Sequence, residues 1–166
     1  MKDRLWKIFD HIIDFCALIA GILILLVTLF VTYSVTLRYL HYKPPIWILQ
    51  CTEYALLWLT FLGAAWLLKK DGHIRIDTVV RRFSPKNRLI LDIIVDCLGC
   101  IVCIIIFWFG VEKNIDLYQR GIMDVKGVTM PQYPLFLVIP LGGLMLFIQF
   151  IRNLFEHLKT LTRGEK

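Results

Sequence analysis

FCALIAGILILLVTLFVTYSVTL, Phe15 to Leu37, is 23 residues long and carries no charged side chain. A hydrocarbon core of roughly 30 Å takes about 20 helical residues to cross. A helix satisfies its own backbone N–H and C=O groups where lipid offers none. The stretch is longer than the roughly 7–15-residue apolar centre of a signal peptide, and no small-residue cleavage site follows it. Cys16 follows Asp14-Phe15 and not the small residue of a lipoprotein signal, so it reads as ordinary helix lining.

Three further runs lie downstream. Ile46 to Leu68 contains one acid, Glu53; Leu89 to Val111 contains Asp92 and Asp96; Tyr133 to Ile151 is interrupted by Pro134 and Pro140. None alternates as a transmembrane β-strand must. With 58% hydrophobic residues gathered into these runs, the expected fold is an all-α integral membrane protein. It is read as one domain, 1–166, with spans at about 15–37, 46–68, 89–111 and 133–151.

Charge sets the expected orientation. Fourteen of the 19 Lys and Arg residues fall in the N-terminal tail, the loop between spans two and three, and the C-terminal tail; five fall on the other side. Basic flanks stay in the cytoplasm, which places both termini inside. The net charge of +6 then reads as topology and contact with anionic phospholipid, not nucleic-acid binding.

Two segments are amphipathic. Residues 1–14 keep Leu5, Ile8, Phe9, Ile12 and Ile13 at helical spacing, and a helix on the cytoplasmic leaflet is expected. In the middle loop Ile76, Val79, Val80 and Phe83 step i, i+3, i+4, i+7, which predicts a cytoplasmic interfacial helix over 74–83. Ser84-Pro85 then supplies an N-cap and first-turn proline for the third span. His41 to Pro45 is a short periplasmic turn, and residues 112–131 are the longest periplasmic segment, the natural place to meet a soluble partner.

Acids inside a span are costly and are the first functional suspects. Glu53, about seven residues inside the second span, must face protein or water; an inter-helix contact and a coupling-ion or proton role are both open. Asp92 and Asp96 share a helix face with Arg88 one step before Asp92, and read as a polar seam between helices or subunits. Gly21, Thr28, Thr32 and Thr36 form a stripe of small and hydroxyl residues, expected as a packing face.

Cys97, Cys100 and Cys103 have a spacing that resembles metal or redox motifs, but they sit in a hydrocarbon-depth helix and read as small apolar filler. The four histidines lie at span ends or in tails, which makes a haem site a poor fit. No phosphate-loop, dinucleotide or nucleophile-elbow pattern occurs. No enzyme activity, metal or cofactor is expected.

One stretch is specific: TFLGAAWLLKKDGHIRID, Thr60 to Asp77. It closely resembles the small membrane subunit of tripartite ATP-independent periplasmic (TRAP) transporters. The resemblance runs through Gly63-Ala64-Ala65, the basic Lys69 and Lys70, Gly72-His73-Ile74-Arg75-Ile76-Asp77 and Pro85. Arg38-Tyr39, Trp47, Glu53 and Met130-Pro131 also look like that family. Where members often carry a second acid before the Glu53 position, this chain has Gln50.

The resemblance implies an auxiliary subunit in the bacterial inner membrane, without a cofactor of its own. Its partners would be a large multi-span subunit, which moves an organic anion with a sodium gradient, and a periplasmic binding protein. Gly72, His73, Arg75 and Asp77, with Lys69, Lys70, Arg81 and Arg82, are expected to lock the loop and contact lipid. Two other classes remain: a self-sufficient proton- or cation-coupled transporter using Glu53, Asp92 and Asp96, and a membrane anchor for a redox enzyme.

Overall fold

The computed structural model describes residues 2–70 and 85–163. Four helices in it are long and apolar enough to cross a membrane, as the four runs require. α1 (Lys2–Tyr39) is one unbroken helix of 38 residues, about 57 Å at roughly 1.5 Å per residue. The amphipathic start and the first span are therefore one element, because neither proline nor glycine separates them. α1 stops at His41, whose φ of 62° is left-handed. His41 N–H donates to Arg38 O and Tyr42 N–H to Leu37 O, the paired bonds of a Schellman cap.

α2 (Ile46–Lys69) starts directly after Pro44-Pro45. α3 (Pro85–Gln119) opens on a proline, which suits the first turn because no N–H is needed there. α3 runs eight residues beyond the expected end of its span. Asp116 pairs with Lys113 at 3.4 Å and with Arg120, and Leu117 is buried, so helix continues where a loop was expected. Gly121, at φ +59°, closes it, with Gly121 N–H bonded to Tyr118 O and Ile122 N–H to Leu117 O.

The remaining connection is a small hairpin. β1 (Met123–Asp124) pairs antiparallel with β2 (Met130–Pro131), in the register Met123 to Pro131 and Asp124 to Met130. A four-residue α4 (Tyr133–Phe136) precedes α5 (Val138–Arg163). Pro140 has no N–H to offer the carbonyl four residues back, which accounts for the break at Leu137. α5 continues to Arg163, so the expected C-terminal tail is helical as far as that residue. The interfacial helix expected over 74–83 lies outside the described residues.

The helices pack in the order α1, α2, α5, α3. The outer positions of α1 and α3 show in burial: 6% and 11% of their apolar windows are buried, against 33% for the last span. α5 is the wedge. Gly142 lies against Phe61 of α2, and Gly143 lies against Ile106 and Phe107 of α3. Adjacent glycines thus let two neighbours approach from different sides. Two small cores result: Ala20, Leu62 and Val138 join α1, α2 and α5, and Leu68, Cys103 and Phe150 join α2, α3 and α5.

Candidate functional site

At one end of the bundle the hairpin folds back onto the start of α2. Gln50, 1% exposed, donates its amide N–H to Asp124 Oδ2 at 2.9 Å and to the Val128 carbonyl at 3.0 Å. Its amide oxygen accepts the Val128 N–H at 2.8 Å. One turn later the Tyr54 hydroxyl donates to the same Asp124 oxygen. Lys126, near the hairpin tip, pairs with Glu53 at 2.6 Å. Residues 50, 53 and 54 of one helix therefore hold both sides of the hairpin.

This arrangement explains the residue at position 50. A carboxylate there could not donate, and it would face the Asp124 carboxylate at hydrogen-bond range. An amide can donate and accept at once. Gly127 completes the fit: a Cβ there would lie 2.8 Å from the Trp47 nitrogen and 3.0 Å from its Cα. Gly127→Ala is expected to lift the hairpin tip from α2 and raise proteolytic cleavage within 123–131 several-fold. Unchanged cleavage would contradict this close approach.

The electrostatics keep the hairpin closed over a wide pH range. The Tyr54 hydroxyl bond, aided by the Gln50 amide and the charge and backbone of Lys126, holds the Asp124 carboxyl below its usual range despite its burial. The Glu53 carboxylate raises the Lys126 ammonium above its own range. A depressed carboxyl stabilises fully above its unfolded pKa, and that stabilisation is lost as pH falls through the folded value. A raised lysine stabilises below its unfolded pKa and is lost as pH rises through the folded value. Hydrogen exchange across 122–131, corrected for intrinsic rates, should show no opening transition between about pH 5 and 9. A transition near neutrality would contradict the assignment.

At the opposite end three helices meet in an ion network. Asp10 of α1 receives Arg152 of α5 at 2.7 Å and Lys69 of α2 at 3.5 Å. Lys69 also pairs with Asp14 at 2.9 Å and donates to the Asp10 carbonyl at 3.1 Å. Arg152 further reaches Glu156 at 3.4 Å and lies 5.3 Å from the Trp6 ring centre. Lys69, expected to contact lipid, is turned inward instead, because α1 brings two carboxylates to it. Lys70 remains exposed beside the Trp66 ring.

Asp96 is 5% exposed and meets His157 Nδ1 of α5 at 2.7 Å. The seam on α3 is thus completed by a histidine that the sequence had assigned to a tail. Asp92 lies one turn earlier, half-buried. The side chain of Arg88, and Gly72, His73, Arg75, Asp77, Arg81 and Arg82, lie outside the described residues. Thr28 and Thr32 do not pack within the chain. Their hydroxyls bond to Ile24 O and Thr28 O of the preceding turn, both are exposed, and Gly21 has nothing near it.

The five cysteines are free thiols, and no cluster of metal-ligand side chains occurs among the described residues. Sequence reading missed Gln50, Tyr54, Asp124 and Lys126 as a set. Polar residues at positions 50, 53 and 54 on one helical face were the available signal.

Comparison with known proteins bears on most of these residues. The model of the family described as "Tripartite ATP-independent periplasmic transporters, DctQ component" matches residues 27–160. The chain is 26% identical over 120 residues to the C4-dicarboxylate TRAP transporter small permease protein DctQ of Pseudomonas aeruginosa, covering 71% of this chain and 57% of that protein. It is 25% identical over 144 residues to the "Putative TRAP transporter small permease protein" of Haemophilus influenzae, covering 84% of this chain and 85% of that one. The match thus spans little more than half of the first relative and most of the second. The hairpin anchor and the Asp96–His157 pair fall within residues 27–160, whereas Asp10 and Asp14 precede them.

Proposed function

Because the chain belongs to the DctQ-component family of TRAP transporters, we propose that it serves as the static brace of a three-part importer of an organic anion. A large multi-span subunit carries the anion with a sodium gradient, and a periplasmic binding protein delivers it. This chain needs no cofactor or enzyme activity of its own. In this reading the basic end lies in the cytoplasm with both termini, against anionic phospholipid, and the hairpin end faces the periplasm.

The observation that carries the proposal is the family match over residues 27–160. The placement of charge supports the bracing role. Glu53 is engaged by Lys126, Asp96 by His157, and Asp10 by Lys69 and Arg152. Each of these contacts joins two segments of the chain. A conduit needs polar groups aligned along a path; here Glu53, Asp96 and Asp10 instead fix segments of the chain to one another.

Affinity purification of the tagged chain from its native membrane is the test. A large multi-span protein should be retained in stoichiometric amount. Recovery of the chain alone, from cells whose anion uptake is intact without it, would overturn the proposal.

A further inference from the structure

The ends of α1 and α5 enclose a cleft of about 810 Å³. Trp6, Phe155 and Leu158 give it apolar and aromatic walls, and Lys7, Arg152 and Lys159 give it three cations. Its two carboxylates, Asp10 and Glu156, are both engaged by Arg152. Among the described residues, no carboxylate pairs with Lys7 or Lys159. Among the described residues, the cleft therefore presents two ammonium groups with no carboxylate partner beside a greasy wall.

Its depth follows from α2. That helix has 24 residues, roughly 36 Å of rise, which is close to the thickness of a hydrocarbon core. α2 ends at Lys69, and Lys69 bonds to Asp10, which lines the cleft. The cleft thus opens where hydrocarbon gives way to headgroups, on the end with the most basic residues.

We propose that this cleft is a binding site for one anionic phospholipid. Lys7 and Lys159 would hold the phosphodiester, and an acyl chain would lie along Phe155 and Trp6. A lipid with a choline headgroup brings a cation that must sit beside the two lysines, whereas a glycerol headgroup brings none. Charge complementarity therefore favours phosphatidylglycerol over phosphatidylcholine. The site rests on the inward placement of the basic end in vivo, but its affinity does not depend on the large subunit.

Native mass spectrometry of the detergent-purified full chain, titrated with phosphatidylglycerol or phosphatidylcholine, tests it. One tightly retained phosphatidylglycerol is expected. The double variant Lys7→Gln/Lys159→Gln should lose about tenfold or more of the preference. The variant Arg38→Gln/Lys43→Gln removes the same charge from the other end and should keep it. Circular dichroism and retention of the large subunit by the Lys7→Gln/Lys159→Gln protein show that the variant is folded and the bracing role is separate.

Equal loss in both variants, or none in either, would overturn the site, since anionic lipid would then only gather around a basic surface. In the purified complex, cross-linking from Lys7→Cys to the large subunit in place of lipid retention would overturn it as well. That result would leave the bracing role standing.

Discussion

Replacing Gln50 by Leu should free the hairpin from α2 and raise hydrogen exchange across 122–131 by tenfold or more. Leucine nearly matches the volume of glutamine but cannot bond. Val128 would lose the partners of both its N–H and its carbonyl, and each such hydrogen bond contributes about 0.5–1.5 kcal/mol net. Asp124 would retain the Tyr54 hydroxyl and lose one of its donors. Gln50→Glu separates charge from shape. At neutral pH it sets a second carboxylate against Asp124, and at acid pH one of the two can protonate and donate. Exchange in Gln50→Glu should therefore slow toward the parent value as pH falls, while Gln50→Leu shows no such recovery. Equal behaviour of the two variants would remove Gln50 from the centre of the anchor.

The second large effect is expected at the glycines of the helix interfaces. A Cβ at Gly142 would stand 2.7 Å from Phe61 Cβ and 3.1 Å from the Phe61 carbonyl. Relief requires α2 and α5 to move apart, because these atoms belong to or adjoin the backbone. Overpacking of this kind costs about 1–3 kcal/mol for a small addition and more for a large one. Gly142→Ala should lower the yield of folded protein, Gly142→Leu should abolish it, and adding Phe61→Ala should not rescue Gly142→Ala, since alanine keeps the offending Cβ.

Gly99 offers the contrast. The three atoms nearest a Cβ there all belong to the Phe150 ring, at 2.5 to 2.8 Å. Gly99→Ala should therefore also lower yield, but Phe150→Leu should restore much of it. Folded yield measured by size-exclusion chromatography compares the five variants directly. Rescue of Gly142→Ala by Phe61→Ala would contradict the backbone contact between α2 and α5.

Hydrophobic runs made the four spans legible, because lipid imposes one length scale on every crossing helix. The ends of the helices were not legible in the same way. α3 outlasts its apolar run because the Asp116 pairs and Leu117 burial reward helix beyond it, and composition counts those residues as loop. Likewise the amphipathic start of α1 has no breaker to divide it from the span. Composition had no means to foresee that Asp10 and Asp14 would be drawn to Lys69.

Of the acids singled out by their place in a span, Glu53 and Asp96 find partners far along the chain. Glu53 and Lys126 are 73 residues apart, and Asp96 and His157 are 61. Pairing at such separation follows from helix order, which sequence periodicity does not encode. Gln50 illustrates the limit most clearly. Its amide looked like a departure from an acidic pattern until Asp124 was found opposite it. The threonine stripe faces outward from the chain, and its hydroxyls bond to their own helix.

Support rather than conduction is the core of this reading, and ion movement tests it without any partner. Radioactive sodium entry should be measured into liposomes holding the purified chain alone, under an inward sodium gradient and an inside-negative potential. Entry equal to that of empty liposomes is expected, because Glu53 and Asp96 are held in contacts within the chain. Saturable sodium entry that disappears in Glu53→Gln or Asp96→Asn would contradict it, and would make the chain a conduit.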